Sequence, residues 1–288
     1  MNTSLTTIVM PSSVAPRLAW TLLAVMVVQS ASGLAAPHLY RDIEWIRTTW
    51  YGNDWITLLL ACPLLSLALL GHWRHAPRWQ LLRIGLVGYS AYNYAFYMFG
   101  AALNPFFLLY IIAFVVAIAT LVAIFASVNT ESLAASFSPR TPARLIAGFM
   151  IAVAFWLSAV WIGMWARHVF AGGVLPATPE VFRLVAALDL SFMVPALTLG
   201  GVLLWRRNAW GFPVSSLALL QSGLYLLILS VNSFIAVARG LVPWPGELLV
   251  WAPLCVATSI AAFALVASAH ASPDDRASPS ALNSREHR

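Results

Sequence analysis

One carboxylate stands inside a strongly apolar stretch of this 288-residue chain. Asp189 lies in the segment 188–195, whose other members are mostly large apolar residues and which ends in Pro195. Ionisable groups are costly in hydrocarbon, so an acid that is kept there is a functional candidate. Pro195 has no amide hydrogen to donate, and it predicts a helix irregularity that frees a backbone carbonyl nearby. The chemistry would be that of an ion or proton site, or of a counter-ion for a cationic ligand.

A second interpretation of Asp189 is purely architectural, because interhelical polar contacts are common in membrane bundles. The nearest cation along the chain is Arg183, six residues earlier. At about 100° per residue, Arg183 lies about 120° around a helix from Asp189, so the two pair poorly within one helix. We therefore expect the partner of Asp189 to come from another helix, and we keep Arg183 as a candidate ligand-binding residue.

A run of aromatic and polar residues forms the second candidate constellation. Members spaced by three and four share one broad helix face; they are Tyr89, Tyr92, Asn93, Phe96, Tyr97 and Gly100. Asn104, followed by a proline, then predicts a tight turn. Hydroxyl and amide groups against an aromatic wall suit a pocket for an organic molecule. The alternative is an aromatic packing seam whose hydroxyls bond neighbouring helices.

Other polar residues favour plainer roles. His38 and His168 each follow an apolar run, and a pair of imidazoles could ligate a metal or haem. No third ligand has a recognisable spacing, however, so the favoured interpretation is an interfacial histidine at the end of a span, with neither a metal site nor a cofactor. The segment 39–54 mixes charges with Trp and Ile, which predicts a short helix lying on the outer surface. The seventh apolar run carries Gln221, Ser222 and Tyr225, which we expect to form interhelical hydrogen bonds.

Composition defines the elements that must position these residues. The chain is 61% hydrophobic and 9% charged, whereas soluble domains have about 25% charged residues. Crossing a bilayer takes about 20 apolar residues, and only helices satisfy their own backbone at that length. Eight such runs occur, at 18–36, 55–72, 81–103, 105–127, 145–166, 181–205, 212–238 and 248–270. The sequence therefore predicts an all-α polytopic transmembrane bundle.

Charge predicts how the bundle is oriented. All 16 basic residues are arginine, and a cytoplasmic N-terminus places eleven of them inside. Because cytoplasmic loops carry an excess of arginine, both termini are predicted to be cytoplasmic. The expected organisation is an N-terminal segment 1–17, a transmembrane domain 18–270 and a disordered tail 271–288. We expect the first span to be retained, although residues 30–32 resemble a signal-peptide cleavage site.

Comparing the chain with itself suggests an internal duplication. Pro63 aligns with Pro195, and the pair Trp73-Arg74 aligns with Trp205-Arg206, all at an offset of 132 residues. Two halves, 18–127 and 145–270, would each hold four spans and would therefore run parallel to each other, as in some transporters. The alternative is chance similarity between leucine-rich helices.

The segments 57–63, 92–97 and 104–110, together with 188–192 ahead of Trp205-Arg206-Arg207, resemble a group of uncharacterised bacterial multi-spanning proteins. The resemblance covers much of residues 37–212. It implies a bacterial cytoplasmic membrane and brings no activity, ligand or site with it.

Function is narrowed by what the sequence lacks. No Walker loop, GxGxxG, HExxH or GxSxG motif occurs, and no basic cluster suits nucleic acid. The main hypothesis is a transporter or permease for a small molecule or ion, with Asp189 as the charged element and the residues around Tyr92 as its wall. The alternatives are a non-transporting sensor or assembly protein and, third, an intramembrane enzyme acting on lipid or quinone. The expected partners are membrane lipid, an unknown small molecule or ion, and a membrane protein or second copy.

Overall fold

The computed structural model describes residues 13–71, 76–241 and 246–270, and every regular element within those ranges is helical. The helices are α1 (Val14–Ala35), α2 (Glu44–Ile56), α3 (Cys62–Gly71), α4 (Pro77–Gly100), α5 (Phe107–Ser127), α6 (Thr130–Ala135), α7 (Ala143–Ala171), α8 (Pro179–Leu188), α9 (Val194–Trp205), α10 (Gly211–Ala238) and α11 (Gly246–Ala267). Two π-helical turns, Thr57–Ala61 and Asp189–Met193, join α2 to α3 and α8 to α9. The N-terminal segment and the tail predicted from the sequence lie largely outside the described residues, as does the Trp73-Arg74 pair.

Seven helices in the described ranges are long and apolar enough to cross a membrane. They correspond to seven of the eight predicted runs, and they indicate a multi-pass membrane protein. The remaining run is α4, whose mean hydropathy is lowered by Arg78, Arg83 and its phenolic and amide side chains. At 1.5 Å per residue its 24 residues extend about 36 Å, more than the roughly 30 Å of a hydrocarbon layer. Because α4 is mostly buried by protein, it needs less apolar surface than a helix that faces lipid.

The predicted surface helix at 39–54 is wrong. Its C-terminal part is instead the first half of the second long helix, which continues through the π turn at Thr57–Ala61 into α3. Only the first turn of α2 carries exposed charge, at Glu44, whereas Trp50 and Asp54 are buried in the protein. Burial of this face, at a spacing of three to four residues, packs α2 against α1 and α10.

The helices form two packed groups around a central pair. One core is built by α1 to α5 and the other mainly by α7 to α11, and α4 contacts α10 between them. The central pair approaches closely because Gly85 and Gly88 on α4 leave room for Leu220 and Leu217 on α10. A Cβ at either glycine would overlap these leucine side chains. Small residues therefore set the spacing of the two groups.

A second close approach joins α9 to α10. The hydroxyl of Ser215 donates to the carbonyl of Gly200 at 3.0 Å, and a Cβ at Gly200 would press on the backbone of Ser215. Gly211 begins α10 directly against the backbone of Leu203 and Leu204, so the turn between the helices is packed main chain on main chain. This turn fixes the position of α9, and through it the π turn that carries Asp189.

Candidate functional site

Asp189 opens the π turn at Asp189–Met193 and points into protein. The hydroxyl of Tyr92, on α4, donates to Oδ1 at 2.5 Å, and the indole Nε1 of Trp161, on α7, donates to Oδ2 at 2.9 Å. Asp189 is 2% exposed. Its partners come from other helices, as we expected because Arg183 is poorly placed to pair with Asp189 within one helix. The carboxyl therefore joins three long helices through two neutral donors.

The groups around this carboxyl are aromatic. The ring of Tyr225, on α10, meets Tyr92 edge-on with centroids 4.9 Å apart, and Phe182 meets Trp161 edge-on at 5.3 Å. Both donors to Asp189 are thus fixed by a second ring. Among the described residues, no arginine or histidine bonds the carboxyl. Asp189 can consequently gain or lose a proton without breaking an ion pair.

A second buried acid lies on the other side of α4, and the sequence reasoning missed it. Asp54 is fully buried and accepts three hydrogen bonds, from Tyr40 at 2.6 Å, Tyr97 at 2.8 Å and Gln29 at 3.1 Å. The backbone of α1 makes room for it at Gly33, where a Cβ would collide with the carboxyl. Asp54 directly precedes an apolar run and lies three residues before Thr57. This position was the only signal in the sequence that its carboxyl could be buried.

Hydrogen bonds extend the Asp54 site along α1 and α4. The amide oxygen of Gln29 accepts from the hydroxyl of Tyr94 at 3.1 Å, while its amide nitrogen bonds Asp54. Tyr40 lies between α1 and α2, outside the apolar helices. Burial and the neighbouring Asp54 raise the pKa of the Tyr40 phenol, so this group stays protonated as a donor. The network is fully connected, which favours a rigid arrangement.

The structure divides the aromatic stripe of α4 between two sites. Tyr92 reaches Asp189, whereas Tyr97 reaches Asp54. Tyr89 shares a 2.7 Å hydrogen bond with the Thr57 hydroxyl, and the Asn93 amide donates to the same hydroxyl at 3.5 Å. The sequence correctly grouped these residues on one helix, but their hydrogen bonds go to three different groups, Asp189, Asp54 and Thr57.

The remaining candidate residues, Asn104 and Arg183, form no hydrogen bond with either acid in the described part of the chain. Asn104 shapes the turn before α5: its Oδ1 accepts from the Phe106 amide at 2.9 Å and from the Tyr110 hydroxyl at 3.2 Å. Arg183 is exposed on α8.

The histidines stand apart from both acids as well. His38 is exposed, and the Nδ1 of His168 lies 2.8 Å from the Gly173 carbonyl. No group of three potential metal ligands occurs among residues 13–71, 76–241 and 246–270.

A cleft of about 240 Å³ lies beside the Asp189 site. Tyr92 and Phe192 belong to its wall, whereas Asp189 itself does not. The arrangement combines a buried acid, a phenol in direct hydrogen-bond contact with it and an apolar cleft that the same tyrosine lines. Such a site can hold a proton and a small apolar molecule close to each other.

Comparisons with known proteins assign no family. No family model matches the chain, and no curated protein or solved structure matches it. The fold and the site therefore define the class by themselves: a helical, multi-pass membrane protein with two carboxyls buried among its spans. The resemblance to bacterial multi-spanning proteins stays a prediction.

Proposed function

We propose that this chain is a permease-like protein that couples a proton or ion to the movement of a small molecule, with Asp189 as the coupling group. One observation carries the proposal: Asp189 is buried between long apolar helices, and its hydrogen-bond donors within the described residues are the neutral groups of Tyr92 and Trp161. An acid kept in this setting without a cation is typical of proton relays. The π turn that begins at Asp189 adds support, since such turns are frequent at functional sites.

The proposal includes two parallel halves, which the contacts of the central pair support. Gly85 packs on Leu220, and Gly88 packs on Leu217. Adding 132 to either glycine number gives the leucine that the other glycine contacts. Exchanging each residue for its equivalent 132 positions away therefore converts one contact into the other. This is the pattern expected for a pseudo-two-fold axis between α4 and α10.

A second pair of contacts at the ends of these helices obeys the same exchange. Gly52, on α2, packs on Asn232, and Gly100, on α4, packs on Leu184. Positions 52 and 184 differ by 132, as do positions 100 and 232. The two π turns, Thr57–Ala61 and Asp189–Met193, are also 132 residues apart. Leucine-rich similarity alone does not account for matched contacts, so these observations favour duplication.

In the proposed topology α4 crosses the membrane in addition to the seven apolar helices, which makes eight spans, and both termini lie in the cytoplasm. Its support is the length and burial of α4 together with the arginine excess on one side. A bacterial inner membrane is the setting that the sequence resemblance implies. Parallel four-span halves with a site between them are an arrangement that transporters use.

Proton movement tests the role of Asp189 directly. Protein reconstituted in potassium-loaded liposomes with valinomycin should carry protons inward, read by a pH-sensitive dye in the lumen. Asp189→Asn, which keeps the shape but cannot titrate, should lower this flux at least tenfold. Glu180→Gln removes an exposed acid from the same helix and should leave the flux unchanged. Equal flux in a folded Asp189→Asn protein removes Asp189 from the mechanism.

An infrared measurement covers the case in which flux requires a substrate. The difference spectrum between acidic and alkaline pH should contain a carboxylic C=O band that Asp189→Asn removes and that Asp54→Asn leaves in place. A spectrum without an Asp189-dependent band would show that the carboxyl does not exchange protons, and proton coupling through Asp189 would then be untenable.

The second candidate is a non-transporting sensor or assembly protein. Its specific support is the occlusion of Asp189, because both carboxyl oxygens are bonded by protein and the residue is almost unexposed. This function predicts saturable ligand binding without flux, and a membrane partner that co-purifies. Cross-linking that captures only copies of the chain would argue against the partner.

A further inference from the structure

A second cleft, of about 420 Å³, lies between α7 and α9 near one end of each helix. Gly148 and Ile151 form its α7 side, and Val202, Trp205 and Arg206 form its α9 side. Gly148 leaves the space open, because it has no side chain and the Trp205 ring lies 3.4 Å from where a Cβ would be. The cleft is therefore an apolar groove with one aromatic and one cationic residue at its end, and we call it the α7–α9 groove.

The α7–α9 groove runs inward from the ends of the two helices. α7 begins at Ala143 and α9 ends at Trp205, so both helices terminate on this side. At 1.5 Å per residue, Ile151 lies about 10 Å farther along α7 than Arg144 does. Trp205 is half exposed, and an exposed indole at the end of a span is typical of the headgroup layer. The arginines therefore lie at the level of lipid phosphates, and the groove lies at the level of acyl chains.

The positive charge at the groove is available to a ligand. Arg206 is exposed, and so is Arg144, which shares a face of α7 with Gly148 four residues later. Among the described residues, neither guanidinium has a hydrogen bond or an ion pair. Arg207 differs, because its guanidinium donates to two backbone carbonyls of the segment that leads into α7. Two unpaired cations thus flank the groove, and their charge complements an anionic group.

We propose that the α7–α9 groove binds one anionic phospholipid of the phosphatidylglycerol class. The phosphate accepts hydrogen bonds from the Arg206 guanidinium and is attracted by Arg144, while one acyl chain lies along Gly148 and Ile151. Charge complementarity selects this occupant: an apolar face alone would accept any lipid tail, whereas unpaired arginines at headgroup level favour a lipid with a net negative charge. This inference goes beyond the proposed function and does not depend on Asp189.

Native mass spectrometry of the full-length protein in detergent micelles tests the proposal by counting bound lipids. Dioleoyl phosphatidylglycerol should bind about tenfold more tightly than dioleoyl phosphatidylcholine. Arg206→Gln should lower the phosphatidylglycerol affinity about tenfold, the usual value of one hydrogen bond to a charged group, and leave phosphatidylcholine unchanged. Arg78→Gln removes an exposed arginine from the start of α4, outside the groove, and should bind both lipids as the unmodified protein does.

A steric pair of variants separates the groove from a general attraction between arginines and anionic lipid. Gly148→Leu keeps every charge and fills the groove, so it should remove the preference for phosphatidylglycerol. Gly163→Leu adds the same side chain to α7 where a Cβ meets no atom within 4 Å, and the preference should persist. If Gly148→Leu kept the preference, or if Arg78→Gln weakened it as much as Arg206→Gln does, the whole basic surface would be responsible, which overturns the proposal.

Thermal unfolding gives a second readout that does not require Gly148→Leu to fold. A lipid that binds only the folded groove stabilises the protein by mass action. Phosphatidylglycerol should therefore raise the unfolding temperature more than phosphatidylcholine does, and Arg206→Gln should lose this difference. Equal effects of the two lipids on the unmodified protein would overturn the proposal. A two-chain mass that Gly148→Leu reduces to one chain would assign the groove to a second copy and would overturn it as well.

Discussion

Replacing Asp54 with alanine should lower the free energy of unfolding by about 3–5 kcal/mol. The substitution removes the acceptor of three buried donors, Tyr40, Tyr97 and Gln29. Tyr97 and Gln29 keep longer bonds of 3.3 Å, to the Trp50 carbonyl and the Tyr40 hydroxyl, which compensate for part of the loss. Each buried group left unsatisfied costs about 1–3 kcal/mol. A cavity also forms where the carboxyl packs against Gly33. Asp54→Asn should cost less, because the amide keeps one acceptor oxygen and the volume.

Stepwise SDS unfolding in mixed micelles, followed by circular dichroism, measures this loss. Glu44→Ala removes an exposed acid from the first turn of the same helix, and its effect should stay within about 0.5 kcal/mol. Tyr97→Phe removes one donor and should cost about 1 kcal/mol. If Asp54→Ala unfolded like Glu44→Ala, the hydrogen bonds around Asp54 would contribute nothing to stability.

Gly211→Val should prevent the protein from folding. A Cβ at this position would overlap the main chain of Leu203 and Leu204, which cannot move aside as a side chain would. Separating α9 from α10 would also break the hydrogen bond between Ser215 and Gly200. The expected cost is above about 4 kcal/mol, beyond the usual cost of about 1–3 kcal/mol for an overpacked core, because main chain and not a side chain has to move.

Yield of monodisperse protein after detergent extraction, followed by thermal unfolding of any material recovered, reads out this effect. Gly163→Ala is the matched control, because a Cβ at Gly163 meets no neighbouring atom within 4 Å. That change should be neutral or stabilising by up to about 1 kcal/mol, since alanine is the better helix former. Normal yield and unfolding of Gly211→Val would show that the turn between α9 and α10 tolerates separation.

The sequence was sufficient to predict the long apolar helices and one of the two buried acids. Uninterrupted apolar runs predicted the long helices, and Asp189 was visible because large apolar residues flank it on both sides. Asp54 escaped because Glu44 and Arg47 precede it closely, and charge at that density is typical of a surface segment. Whether a helix continues inward past such residues depends on the neighbours that bury its inner face, here α1 and α10.

The hydrogen-bond partners of the aromatic stripe on α4 could not be predicted from the sequence, for a similar reason. Helical periodicity places Tyr92 and Tyr97 on one broad face, but five residues at 100° each leave them about 140° apart. Because of this angle, Tyr92 and Tyr97 bond two different acids on two different helices. The unpaired amide of Gln221 was likewise invisible, because the sequence indicates a polar residue in a span and not whether its donor is satisfied.

The π turn at Asp189–Met193 has a mechanical consequence. A wide turn holds one more residue than an α turn, so it can migrate along a helix by exchanging single backbone hydrogen bonds. If the extra residue moved toward α8, the residues it passed would rotate by roughly 100°. Asp189 would then swing away from Tyr92 and Trp161 while the span stayed intact. The carboxylate could be re-aimed in this way without a rigid-body movement of the two groups of helices.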